Sequence, residues 1–213
     1  MSPSPEDPFS RARGGQPTAA GGVRHAIGNA PEFSPEERRF LLQLAHQSIA
    51  AALEGEKLTP IAPSSHLAAP GGAFTTIYCR GELRGCVGYV LAVYPLCQTV
   101  ADTARAAALD DSRFLPVTKG ELPELEVSLS ILSPLEPILP EQIEIGRHGL
   151  LVSRGSCRGL LLPQVPVEHR WDRMTFLEQT CHKAGLPANA WQQGAKIEAF
   201  TAEVFSDGDE DKV

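Results

Sequence analysis

Ile77-Tyr78-Cys79-Arg80-Gly81-Glu82-Leu83-Arg84-Gly85-Cys86-Val87-Gly88-Tyr89-Val90 is the stretch whose reading decides the fold. Ile77 to Cys79 and Leu83 to Val90 have strand composition, and a glycine at the first central position suits a type II′ turn, so the segment predicts a β-hairpin about Gly81-Glu82. The register then follows: Arg80 opposite Leu83, Cys79 opposite Arg84, Tyr78 opposite Gly85 and Ile77 opposite Cys86. Residues two apart on a strand share a face. Cys79, Arg84, Ile77 and Cys86 are therefore expected in one cluster, two thiols lying diagonally about a guanidinium.

That cluster carries the candidate chemistry. A thiol with an ordinary pKa of about 8.5 is mostly protonated at neutral pH, and a fixed cation such as Arg84 favours the thiolate that acts as nucleophile. Cys86 and Arg84 are the catalytic candidates. Gly85 and Gly88 bracket the thiol, and glycine inside a strand marks a bulge or a close approach of backbone or ligand. Leu83, Gly85 and Gly88 thus read as candidate binding residues. The bland reading stands beside this one, since a cysteine in an aliphatic strand commonly packs as a small hydrophobe. A Cys79–Cys86 disulfide is disfavoured, because diagonal neighbours sit about 7–8 Å apart, beyond bridging distance.

Outward from the hairpin, Ser34-Pro35-Glu36-Glu37 predicts a helix start with Ser34 as cap, Pro35 at the first position and Glu37 completing a capping box. Its apolar positions recur at helical spacing until Gly55. A second helix is expected over Pro95 to Leu109, ended by Asp110-Asp111. Alternation in Glu126 to Ile131 predicts a half-buried strand. Gly149 to Val152 and Gly159 to Leu162 suggest a second hairpin around Arg154-Gly155-Ser156. Asp172 can cap a helix from Arg173 to Ala184, and Lys196 to Phe205 closes the fold as one strand. Helices interspersed with hairpins favour an α+β architecture, mainly antiparallel sheets with flanking helices, in two subdomains. Residues 1–31, rich in Pro, Gly, Ala and Ser, read as a disordered arm before a folded unit over 32–205; residues 206–213 read as a frayed acidic tail.

Composition bounds the function. The net charge of -7 and pI near 5.4 speak against general attraction to nucleic-acid phosphates. No apolar run approaches the roughly 20 residues of a bilayer span, and five cysteines without framework spacing suit free thiols in a reducing cytoplasm. No phosphate-loop, dinucleotide or serine-hydrolase signature occurs. Cys157, His169 and Cys181-His182 lack zinc spacing, so neither metal nor cofactor is expected.

Leu83-Arg84-Gly85-Cys86-Val87-Gly88 resembles the LRGC(I/V)G signature of the AMMECR-type family, known in prokaryotes as AmmeMemoRadiSam system protein A. Asp111-Ser112-Arg113-Phe114 with Pro116-Val117-Thr118, Glu126-Val127-Ser128, Leu132-Ser133-Pro134-Leu135-Glu136-Pro137, Gly146-Arg147-His148-Gly149-Leu150 and Leu160-Leu161-Leu162-Pro163-Gln164-Val165 resemble further family segments in the same order. The likeness covers about residues 34–205. It implies an α+β fold of two subdomains and a place in a three-part system with a Memo-like protein and a radical S-adenosylmethionine enzyme. Val167-Glu168-His169-Arg170-Trp171 departs from the family's Tyr-Gly before Trp, so no role carries over to His169.

Glu168, after the Pro163-Gln164-Val165-Pro166 turn, is a candidate general base. Asp111 and Arg113 are expected to pair across a tight loop and are counted with the binding residues. His148 falls in a turn, where exposure is the default. Two functional readings follow: a thiol-dependent modifying enzyme centred on Cys86, or a non-catalytic ligand- or partner-binding module using the same hairpin. An apolar edge strand is equally compatible with a homodimer and with a heterocomplex.

Overall fold

In the computed structural model, which describes residues 32–212, Ser34 accepts the Glu37 N–H while the Glu37 carboxylate accepts the Ser34 N–H. This capping box starts helix α1 (Pro35–Leu53), which closes before Gly55 at φ 79°. The arm expected over residues 1–31 lies outside the described residues. A single turn, α2 (Ser65–Ala68), precedes the first hairpin, strands β1 (Gly72–Cys79) and β2 (Glu82–Tyr89). Helix α3 (Leu96–Leu109) and strand β3 (Leu125–Leu132) follow at their expected places.

The second half holds strands β4 (Glu136–Pro137), β5 (Gly149–Arg154) and β6 (Cys157–Leu161). Helices α4 (Gln164–Glu168) and α5 (Arg173–Lys183) come next, α5 capped by the Asp172 carboxylate accepting the Thr175 N–H. Strands β7 (Lys196–Phe200) and β8 (Ala202–Ser206) end the fold. Two four-stranded antiparallel sheets result, in the orders β2-β1-β3-β8 and β4-β7-β5-β6. The α+β architecture with antiparallel pairing is thus as expected.

The expected single strand over Lys196 to Phe205 is instead two strands in different sheets. The chain crosses between lobes at Thr201, whose N–H donates to the Ser133 hydroxyl while Ser133 N–H donates to the Thr201 carbonyl. Residue 133 is the outbound crossing, so the two linkers are stitched together. The tail also differs from expectation at its start: Ser206 belongs to β8, and the Asp207 carboxylate accepts the Val127 N–H at 2.7 Å and pairs with His46 at 2.8 Å.

Each sheet has its own core. In the first lobe, Leu41, Ala45 and Ile49 of α1 and Val100, Ala104 and Ala107 of α3 pack on Ile77, Val127 and Leu129. In the second, Phe176, Leu177 and Cys181 of α5 pack on Leu150 and Val152. A third cluster joins the lobes: Phe74 and Leu132 from the first sheet meet Leu151, Leu160 and Phe200 from the second, with Cys86 and Leu162 packed against it. Among the described residues no helix is long and apolar enough to cross a membrane.

Candidate functional site

The hairpin turns one residue earlier than the sequence predicts. Arg80 and Gly81 are its central residues, with φ of 54° and 78°, the pattern of a type I′ turn flanked by the Cys79–Glu82 pair. A bulge then falls between Ile77 and Tyr78: Tyr78 opposes Leu83, Ile77 opposes Gly85, and Arg84 is the extra residue. Cys86 stands opposite Thr76 rather than Ile77, and Cys79 opposite Glu82 rather than Arg84. The physical reason is the helix layer. Ala73, Ile77, Cys79 and Val87 pack toward α1 and α3, and this requirement sets the register of both strands.

Cys79 and Cys86 are consequently on opposite faces, Cys79 in the helix-side core and Cys86 at the seam between lobes. Both are free thiols. The cluster of two thiols about the Arg84 guanidinium does not form. Arg84 instead donates through Nε to Glu121 Oε1 at 2.7 Å, through Nη2 to Glu121 Oε2 at 3.3 Å and through Nη1 to the Leu115 carbonyl at 3.2 Å. Its fork and the Thr118 backbone N–H hold the Glu121 carboxyl down at about 2.

The cation beside Cys86 is Arg113. Its Nη2 donates to the Cys86 carbonyl at 3.2 Å, and its fork binds Asp111 through Nε–Oδ1 at 3.0 Å and Nη2–Oδ2 at 2.6 Å. Asp111 Oδ2 also accepts the Cys86 N–H at 2.9 Å, with the carboxylate side chain only 7% exposed. β2 is an edge strand, and this acid–guanidinium pair occupies its outward N–H and C=O much as a further strand would. Burial pushes Asp111 up, but the bonds from Arg113 and the Cys86 N–H outweigh it and its pKa lies below the ordinary carboxylate value.

The sulfur itself is a weak acid. Burial dominates and pushes the Cys86 thiol up, against the Thr76 hydroxyl, which donates to Sγ at 3.4 Å, and the Arg113 charge. The flanking glycines serve packing. A Cβ on Gly85 would stand 2.0 Å from the Ala107 carbonyl oxygen of α3, and one on Gly88 would stand 2.1 Å from the Phe74 ring. They let a helix and an aromatic ring touch the strand.

The structure therefore brings Cys86, Asp111 and Arg113 together and leaves Arg84 outside. Tyr78, two residues from Thr76 on the same face, has its phenol raised by burial first and then by the nearby Cys86 and Glu168. Glu168, exposed at the end of α4, thus lies within electrostatic reach of the first sheet across the seam. Leu83 is half-buried opposite Tyr78. Thr76, Tyr78 and Glu121 were missed from sequence. Alternation over Ala73 to Cys79 carries the signal for the first two, since Thr76 and Tyr78 fall on the face opposite Ile77; for Glu121 no local signal exists, 37 residues from Arg84.

A profile described as AMMECR1 matches residues 42–205. A Methanopyrus kandleri protein is 42% identical over 184 residues, covering 81% of this chain and 89% of that protein. An Aquifex aeolicus protein is 40% identical over 179 residues, covering 79% and 92%. The crystal structure of an uncharacterised protein from Pyrococcus horikoshii superposes with a TM-score of 0.71 at 39% identity, over 79% of this chain and 90% of that one.

Proposed function

The chain belongs to the AMMECR1 family, and from that premise we propose that it is a non-catalytic ligand- or partner-binding module within a three-part system with a Memo-like protein and a radical S-adenosylmethionine enzyme. One observation carries the choice of a module over a thiol enzyme: burial holds the Cys86 thiol above its ordinary pKa while Arg84, the expected activating cation, is engaged by Glu121. A nucleophile needs the opposite environment. On this reading the LRGCVG strand is scaffold. It carries the Asp111–Arg113 clasp, while the adjoining β1 offers Thr76 and Tyr78, and α4 offers Glu168, along the seam between lobes.

The thiol-enzyme reading draws on a narrower observation, the Thr76 hydroxyl on the sulfur and the Arg113 charge beside it, both of which ease thiolate formation. Two measurements separate the readings. The module predicts that Cys86 reacts with iodoacetamide at pH 7 more slowly than the exposed Cys157. It also predicts that Cys86→Ala keeps association with the Memo-like partner, whereas Glu168→Ala weakens it about tenfold by calorimetry. Faster alkylation of Cys86 than of Cys157, with function lost in a folded Cys86→Ser variant, overturns the module.

A further inference from the structure

The Gly146-Arg147-His148-Gly149 turn has no part in the seam site, yet it borders an open cavity of about 480 Å³ between the 133–138 segment, which includes β4, and the end of β7. That volume lies within the roughly 300–1,000 Å³ of small-molecule sites. Pro134, Ile138 and Phe200 give it apolar walls; Glu136, Arg147 and His148 stand on its polar side. The turn is built for close packing, because a Cβ at Gly149 would sit 2.2 Å from the Phe200 ring.

His148 is half-buried rather than exposed as the sequence predicts. Its Nδ1 accepts the Glu144 N–H at 3.1 Å, which places the proton of the neutral ring on Nε2. Among the described residues Nε2 has no protein partner, so it remains a fixed donor. Burial and Arg147 outweigh Glu144 in keeping this ring neutral at physiological pH. Arg147 is compensated, its Nη1 lying 3.1 and 3.2 Å from the two Glu144 carboxylate oxygens. The Glu136 backbone pairs with β7, but its carboxylate has neither hydrogen bond nor ion pair among the described residues. The cavity wall thus carries one uncompensated charge, a carboxylate, together with an oriented neutral N–H donor and an apolar surface.

We infer that this cavity binds a small amine that also carries a carbonyl-type oxygen, of the amino-acid-amide class, with its ammonium on Glu136, its oxygen on His148 Nε2 and its aliphatic part against Pro134 and Ile138. The complementarity is specific in charge. An ammonium meets the one unpaired carboxylate of the cavity wall, whereas a free anion meets net negative charge there. The cavity shares Phe200 with the apolar cluster between the lobes but none of Thr76, Tyr78, Cys86, Asp111, Arg113 or Glu168, so it stands or falls independently of the function proposed above.

L-Leucinamide is the probe, followed by calorimetry and by the His148 ring resonances in the full chain. It is expected to shift those resonances and to bind at least about tenfold more tightly than N-acetyl-leucinamide, which lacks the ammonium. Glu136→Gln, at an exposed position, is expected to lose the same factor, and His148→Phe to weaken binding while leaving the preference for the free amine intact. Unmoved His148 resonances at about 10 mM leucinamide, or equal affinity in Glu136→Gln, overturns the assignment.

Discussion

Arg84 illustrates how a residue's chemistry is set by its partner. Its charge-assisted fork satisfies Glu121 and a loop carbonyl, so it fastens the loop carrying Leu115 and Thr118 to β2. Glu121 has a folded pKa of about 2 against an ordinary 4.5. A depressed carboxyl stabilises the fold fully above its unfolded value and loses that contribution as pH falls through the folded value. Arg84→Gln should therefore lower stability by about 1 kcal/mol at pH 7, allowing for solvent screening of this partly exposed pair. Urea unfolding should show the difference between parent and variant shrinking below about pH 4.5 and gone near pH 2. A difference independent of pH would mean that Arg84 acts by packing alone.

Among the elements, the hairpin carries most of the constraint. Its central strand faces helix on one side and the other lobe on the second, and its outer edge is closed by side chains rather than by a strand. Asp111→Ala removes the acceptor of the Cys86 N–H and strips Arg113 of its partner. A cost of about 1–3 kcal/mol is expected by chemical denaturation, with faster amide exchange confined to the β2 edge. Gly85→Ala tests the opposite face. The new methyl must displace the Ala107 carbonyl, and destabilisation of about 1–3 kcal/mol is expected from overpacking. A neutral result would mean that α3 can lift from the strand. Part of this element was legible in the sequence: the second strand, the last three residues of the first, the turn region and the glycine signal, while Gly72 to Thr76 of β1 were not read as strand. The bulge was not, because the two-residue turn rule counts residues without knowing which of them must face the helices. Gly155, at φ 61° and first in its turn, is where a type II′ hairpin occurs instead.

For the whole molecule, two lobes with separate cores are held by a small apolar cluster and two stitched crossings. Leu151 belongs to that cluster rather than to either lobe's own core. Leu151→Ala should cost about 2–5 kcal/mol and separate the unfolding of the lobes. Both tryptophans, Trp171 and Trp191, pack in the second lobe. Their fluorescence should then depart from the far-ultraviolet signal of the whole chain, whereas in the parent the two should coincide. Coincident transitions in the variant would mean that the crossings at Ser133 and Thr201 suffice to couple the lobes.

The starts and caps of α1 and α5 and the approximate hairpin positions were readable from the amino-acid order alone, because each depends on groups within a turn or two of one another. Ser34 with Glu37 and Asp172 with Thr175 are such pairs. The family was readable from ordered motifs along the chain, whereas the short helices α2 and α4 were not readable. Strand register, the division of Lys196 to Phe205 between two sheets, the pairing of Arg84 with Glu121 and the surroundings of the Cys86 sulfur were decided only on folding. Each depends on which surface a strand must bury against and on side chains tens of residues away, and no local pattern encodes that distance.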